Sequence, residues 1–205
     1  MAVSRSGGSV ATPVAAAGQP CGGLGRAVAR AFREGKPEIL VLGPLCGDSV
    51  VFLAGRGARV HVDQVELPQP TPPRQPGAAV AELQTFKIDQ PANAFDLVLA
   101  WEMLDFVSPD RLPEVGAEIV RVLRIGGQLI LFAHQKPPSD RAILPRYRLL
   151  ADDLIVREEP GAPSIPRYTH SNLQLERAIA GMSVQNIHLQ RSQMREILAS
   201  KAGVG

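Results

Sequence analysis

Several side chains able to do chemistry stand at the ends of apolar runs. Asp63 closes the alternating stretch Arg59-Val60-His61-Val62, and Asp89 closes the alternation over residues 83–88. Glu102 follows the run 95–101, and His134 follows the run 128–133. If these runs are parallel strands, their carboxyl ends share one edge of the sheet, where ligands bind in open α/β folds. Glu102 and His134 are the obvious proton acceptors there, suited to general-base work once a substrate is within hydrogen-bond reach. Glu66, a little beyond Asp63, is the second candidate for the same place. Trp101, the only tryptophan, could present its ring to a cation or simply pack. Each acid has an ordinary alternative as a solvated strand end, and each proton acceptor as a structural group.

Positioning these groups requires an alternation of strands and helices. Residues 38–42 (EILVL) form a short apolar run after Pro37, and Gly43-Pro44 stops it, which predicts a buried parallel strand. Gly43 and Gly47 bracket a turn, residues 49–54 offer a helical apolar face, and Gly55 and Gly57 end it. Residues 59–63 alternate as a second strand. Between 67 and 77, Pro68, Pro70, Pro72, Pro73 and Pro76 deny the backbone a helix and predict an extended connector. A displaced crossover helix at 78–82 and a third strand over 83–89 follow. The fourth strand is 95–100, the next helix starts near Leu112 or Pro113, and Gly126-Gly127 stops it before the fifth strand at 128–132. Residues 147–156 are open between a strand and a short helix. A helix over 171–180 capped by Ser171, a last strand over 183–189 and a short closing helix over 194–199 complete the chain.

Two stretches carry a family resemblance. FDLVLAW (95–101) and RVLRIGGQLILF (121–132) resemble the fourth and fifth strand regions of class I S-adenosylmethionine-dependent methyltransferases, the second being the more specific. The resemblance runs from about Pro37 to the C-terminus. It implies an α/β, doubly wound, mostly parallel sheet of the seven-stranded Rossmann-like type in a single domain, 21–205, after a flexible tail, 1–20. It implies S-adenosylmethionine as cofactor, held by a glycine turn after strand one, an acid after strand two for the ribose (Asp63, then Glu66) and an acid after strand three near the adenine (Asp89). Against the family's acidic-x-Gly-x-Gly-x-Gly turn this chain places Gly43, Leu45, Gly47 and Ser49, so the motif is degenerate. Asp48 either replaces the missing acid or caps the helix. Trp101 would lie beside the sulfonium, and Glu102, Asp105 and His134 at the edge where acceptor and methyl group meet.

Composition narrows the function classes. With Lys and Arg totalling 22 against 20 Asp and Glu, the net charge of +2 provides no basic tract for nucleic acid. No apolar run reaches bilayer length and no signal peptide is read, so a cytoplasmic setting is expected. Cys21 and Cys46 make neither a metal spacing nor a disulfide framework. The segment GGLGRAVARAF (22–32) resembles the glycine turn of short-chain dehydrogenases. Neither Tyr147 nor Tyr168 has a lysine four positions on, however, and an amphipathic helix is the better reading. The leading expectation is methyl transfer to a small acceptor. The rival is a methyltransferase-like chain that has lost its cofactor and serves as a binding or scaffolding subunit for a protein partner, a reading that Leu45, Ser49 and the proline connector favour.

Overall fold

The computed structural model describes residues 18–44, 46–64, 66, 86–136, 139–159 and 164–203. In chain order the elements are β1 (Gln19–Pro20), α1 (Gly22–Ala31), β2 (Glu38–Leu42), α2 (Gly47–Gly55), β3 (Arg59–Asp63), β4 (Phe95–Trp101), α3 (Leu112–Val122), β5 (Leu123–His134), β6 (Arg141–Ala142), β7 (Arg146–Ala151), β8 (Leu154–Glu158), β9 (Ile165–Pro166), α4 (Asn172–Ala178), β10 (Met182–Leu189) and β11 (Met194–Lys201). Among the described residues the main sheet has six strands in the order β10-β11-β5-β4-β2-β3. Strands β3, β2, β4 and β5 run parallel, and β11 and β10 join antiparallel.

Burial on both faces explains why the central strands are continuously apolar. Leu40, Leu42, Val98, Ala100, Leu129, Leu131 and Ala133 point into the core under α3 and α4. Their neighbours Ile39, Val41, Leu97, Leu99, Ile130 and Phe132 point into the core under α1, α2 and the β7–β8 hairpin. The period of two thus serves two cores at once.

Several expectations are corrected. Residues 194–199 are not a helix but most of β11, whose register against β5 runs from Met194↔His134 to Ser200↔Gln128. Met194, Ile197, Leu198 and Ala199 are buried between β5 and β10, and that two-sided burial overrides the helical reading. Residues 147–156 are a hairpin, paired Arg146↔Glu158 through Ala151↔Leu154. Of the tail assigned to 1–20, Gln19 and Pro20 already pair with β8. The helix α3 ends at Val122, not at Gly126, because Leu123 turns extended (φ −69°, ψ 139°) and pairs with Phe95. Gly126 (φ +78°) and Gly127 then form an irregularity inside β5, where a Cβ on Gly127 would crowd the Phe95 carbonyl.

The proline connector, the displaced crossover helix and residues 83–85 of the expected third strand lie outside the described residues. Residues 86–89 are described and form no ladder. Phe86 and Ile88 are nevertheless buried, as a strand's inner face would be. Side chains of α3 take the place of sheet partners. Glu114 accepts the Phe86 amide, Glu118 accepts the Ile88 amide at 2.9 Å, and Arg121 donates to the carbonyls of Ile88 and Gln90 at 2.8 and 2.9 Å.

The N-terminal helix shows why the dehydrogenase resemblance fails. The amide of Leu24 at the start of α1 donates to the Glu196 carboxylate of β11 at 2.7 Å, and a Cβ on Gly23 would sit 2.9 Å from that oxygen. The helix start that would receive a pyrophosphate is filled by the protein's own anion.

Two outcomes check this packing. A Cβ on Gly116 of α3 would fall on the Ala178 carbonyl of α4, so Gly116→Ala should cost about 2 kcal/mol by overpacking. Urea denaturation measures it, and a neutral result would show that α4 shifts freely. Hydrogen bonds from Arg121 and Arg111 hold the carboxyls of Glu118 and Glu114 below their usual 4.5, so both groups stabilise the fold above that value and lose the contribution as pH falls through their lowered pKa values. The protection of the Phe86 and Ile88 amides, relative to intrinsic exchange at each pH, should therefore fall as the pH drops below the usual carboxylate range, and Glu118→Gln should flatten the response at Ile88.

Candidate functional site

The carboxyl edge of the parallel strands gathers most of the predicted residues, in two separate groups. The first lies after β2 and β3. Gly43 adopts φ +110°, a conformation suited to glycine, and its amide donates to the Asp63 carbonyl at 3.1 Å. Among the described residues, nothing stands within 4 Å of where a Cβ would be on Gly43 or Gly47. Asp63 ends β3 half-buried, Glu66 is exposed beyond it, and Asp48 is exposed in the first turn of α2. Asp89 is exposed in the bend after Ile88. Leu45 lies outside the described residues.

Ser49, where the third glycine was expected, is buried and committed elsewhere. Its hydroxyl donates to the Tyr147 carbonyl at 2.8 Å and accepts the Leu149 amide at 2.9 Å, fastening β7 to the amino end of α2. Tyr147 in turn stacks on Trp101 with ring centroids 4.8 Å apart, and Phe132 stacks on Trp101 at 5.9 Å. Trp101 is only 3 % exposed, with φ +46°, so it is a core residue beneath the hairpin and its ring faces protein aromatics.

The second group lies after β4 and β5. Glu102 has no exposed surface. Tyr147 donates its hydroxyl to Glu102, Arg157 donates Nε at 2.6 Å, and Arg167 donates Nη2 at 3.2 Å. This fully engaged carboxylate holds an ion-pair network together and is poorly placed to accept a substrate proton. The network shifts its own members. Burial, then the Glu102 charge and hydrogen bond, push the Tyr147 phenol well above its usual range. Burial disfavours the Arg157 charge, but Glu102 outweighs it and the guanidinium pKa rises.

His134 is built differently. Asp105, in the 3₁₀ turn Met103–Phe106, accepts both the His134 amide at 2.9 Å and Nδ1 at 2.8 Å through one oxygen. Burial pushes the Asp105 carboxyl up, while the His134 hydrogen bonds oppose the rise and the Glu102 charge adds to it. With Asp105 ionised, Nδ1 carries the proton and Nε2 keeps its lone pair, the tautomer a general base needs. His134 lines a cavity of about 520 Å³ that also meets Arg141, Arg157 and Arg167. Glu102, Asp105 and His134 bring donor atoms within 4.8 Å of one another, as a metal site would. Here the guanidiniums of Arg157 and Arg167 already supply the positive charge at Glu102.

The sequence reading placed Glu102, Asp105 and His134 at this edge but gave Asp105 no role toward His134, and it missed Tyr147, Arg157 and Arg167. These three come from a hairpin and a short ladder whose periodicity is too brief to place them.

The comparisons bear on this architecture. A family model described as a methyltransferase domain matches residues 58–131, from β3 through most of β5. No curated protein matches the sequence at a significant level. Among solved structures, the CcbJ methyltransferase from Streptomyces caelestis is similar at a TM-score of 0.54 and 17% identity, over 90% of this chain and 97% of that one. A structure titled for the conversion of a disulfide bond into a thioacetal group during echinomycin biosynthesis matches at 0.53 and 14% identity, over 93% and 83%. The [4+2]-cyclase SpnF matches at 0.50 and 16%, over 89% and 80%. The chain has the Rossmann-like fold of class I methyltransferases, and its central part matches the methyltransferase domain.

Glu102→Gln should leave the buried Arg167 guanidinium without its carboxylate and Arg157 with Glu159 alone, and cost about 3 kcal/mol. Tyr147→Phe, which removes one hydrogen bond, should cost about 1 kcal/mol. Urea midpoints compare them, and equal losses would show that Glu102 does not hold the network.

Proposed function

We propose that the chain is an S-adenosylmethionine-dependent methyltransferase acting on a small-molecule acceptor. The observation that carries this reading is the space that the described residues leave open over Gly43 and Gly47, near Asp63, within a fold and a matched segment of methyltransferase type. Glycine positions without a Cβ in a turn suit an adenosyl group, and a strand-end carboxylate suits its ribose hydroxyls. Asp63 would hold the ribose, with Glu66 as the outer alternative and Asp89 toward the adenine. Asp48 would add negative charge at the α2 amino end near the amino-acid portion. When bound, S-adenosylmethionine supplies an electrophilic methyl group. The chain's own task is then to hold the acceptor and, for a hydroxyl or amine acceptor, to take its proton on His134 Nε2.

One observation favours the rival reading of a binding subunit without cofactor. Ser49, fixed to β7, and Tyr147, stacked on Trp101, close the inner end of the turn, where the sulfonium would lie.

Calorimetric titration with S-adenosylmethionine and S-adenosylhomocysteine separates the two. Binding should occur, and should change the emission of the lone tryptophan, Trp101. Asp63→Ala should weaken it by about tenfold or more, as expected for a lost charge-assisted hydrogen bond, whereas Glu66→Ala should matter less. Absence of binding at millimolar concentrations of either compound would sink the enzyme reading in favour of the rival.

A further inference from the structure

The cavity beside His134 has a charge pattern that the methyl-transfer chemistry does not itself require. Arg141, Arg157 and Arg167 all line it. Arg157 is answered by Glu102 and by Glu159 at the rim, and Arg167 shares the same Glu102. Of the charged groups lining the cavity three are guanidiniums and one, Glu159, a carboxylate, while Glu102 lies behind the arginines and Asp105 behind His134. Among the described residues the Arg141 guanidinium donates to one backbone carbonyl, that of Ser164, and the buried Nε of Arg167, a residue 7 % exposed, has no hydrogen-bond partner.

Arg141 in β6 and Arg167 just after β9 stand at the same end of one small ladder, Arg141 pairing with Pro166. The backbone thus brings the under-compensated cations to one wall. Ala142, Ile143 and Met194 add an apolar surface, and the volume of about 520 Å³ is more than an inorganic anion needs.

We propose that this cavity binds a small organic acid, its carboxylate received by Arg141 and Arg167 and its hydroxyl or amine hydrogen-bonded to His134 Nε2. This names the acceptor class of the methyltransferase above and rests on that reading for its catalytic meaning. The binding itself does not need the cofactor.

The test uses the full chain and two probes of matched shape, salicylate and its neutral amide, salicylamide, followed by ¹H–¹⁵N NMR. Salicylate should bind saturably, shifting amides at Ser139, Arg141 and His134, and salicylamide should bind about tenfold more weakly or less, as expected for a lost charge-assisted contact. Arg141→Ala, at an exposed position whose loss leaves the core intact, should weaken salicylate by about tenfold. The proposal is overturned if acid and amide bind alike, if the shifts fall outside the cavity, or if Arg141→Ala changes nothing. It is equally overturned if inorganic phosphate occupies the same residues as tightly as salicylate, since charge alone would then be recognised. A parallel titration with S-adenosylhomocysteine keeps the two claims apart. Cofactor binding without salicylate binding defeats the acid site alone, and salicylate binding without cofactor binding defeats the methyltransferase reading alone.

Discussion

A carboxylate with no exposed surface stays ionised only beside positive charge, and that requirement at Glu102 organises the whole carboxyl edge of the sheet. Its partners come from three places: Tyr147 from β7, Arg157 from β8 and Arg167 from the chain after β9. Satisfying one acid at the end of β4 therefore docks the whole insertion between β5 and α4. The same turn carries Asp105, which orients His134 at the end of β5. Ion pairing and proton-acceptor geometry are two consequences of one buried charge.

The docked hairpin changes what the turn after β2 can do. In a glycine-rich turn the third small residue leaves backbone open to a ligand. Here Ser49 spends both its donor and an acceptor on β7 backbone. The turn is thereby divided. Among the described residues Gly43 and Gly47 remain clear on the side of Asp63, while the side toward β4 is roofed by Tyr147 over Trp101. A serine at the third position fits the hairpin's need for a hydrogen-bonding anchor, which glycine would not provide.

What was legible in the sequence follows from the range of the forces involved. The runs that became β2, β4 and most of β5 were readable because a strand buried on both faces needs apolar residues at every position, and β3, at the sheet edge, because it alternates; both are local signals. Gly43 was readable because a left-handed turn demands it. By contrast, β11 was read as a helix because residues 194–199 take their conformation from β5 and β10 on either side. Residues 86–89 alternate correctly but pair with Glu114, Glu118 and Arg121 of α3, a substitution no periodicity reveals. The candidate site divides in the same way. Strand-end residues such as Asp63 and His134 could be listed from order alone, whereas Tyr147, Arg157 and Arg167 reach the edge only through tertiary docking.

The fold alone does not decide the chemistry, since a chain titled as a [4+2]-cyclase shares it with titled methyltransferases. The distinction lies in how the two groups at the edge relate. With neighbouring strands about 4.8 Å apart, the ends of β2 and β5 stand only about 10 Å from each other across β4. That span suits a donor over Gly43 and Asp63 and an acceptor beside His134. The end of β4 between them is Trp101, under Tyr147. Any transfer across the edge must therefore pass the Trp101–Tyr147 stack, and its position is governed by the Tyr147 hydroxyl on Glu102 and the Tyr147 carbonyl on Ser49. Ser49, the position that binds the hairpin, is thus tied to the residues that stand between the ends of β2 and β5, which makes the hairpin the element that governs passage along this edge.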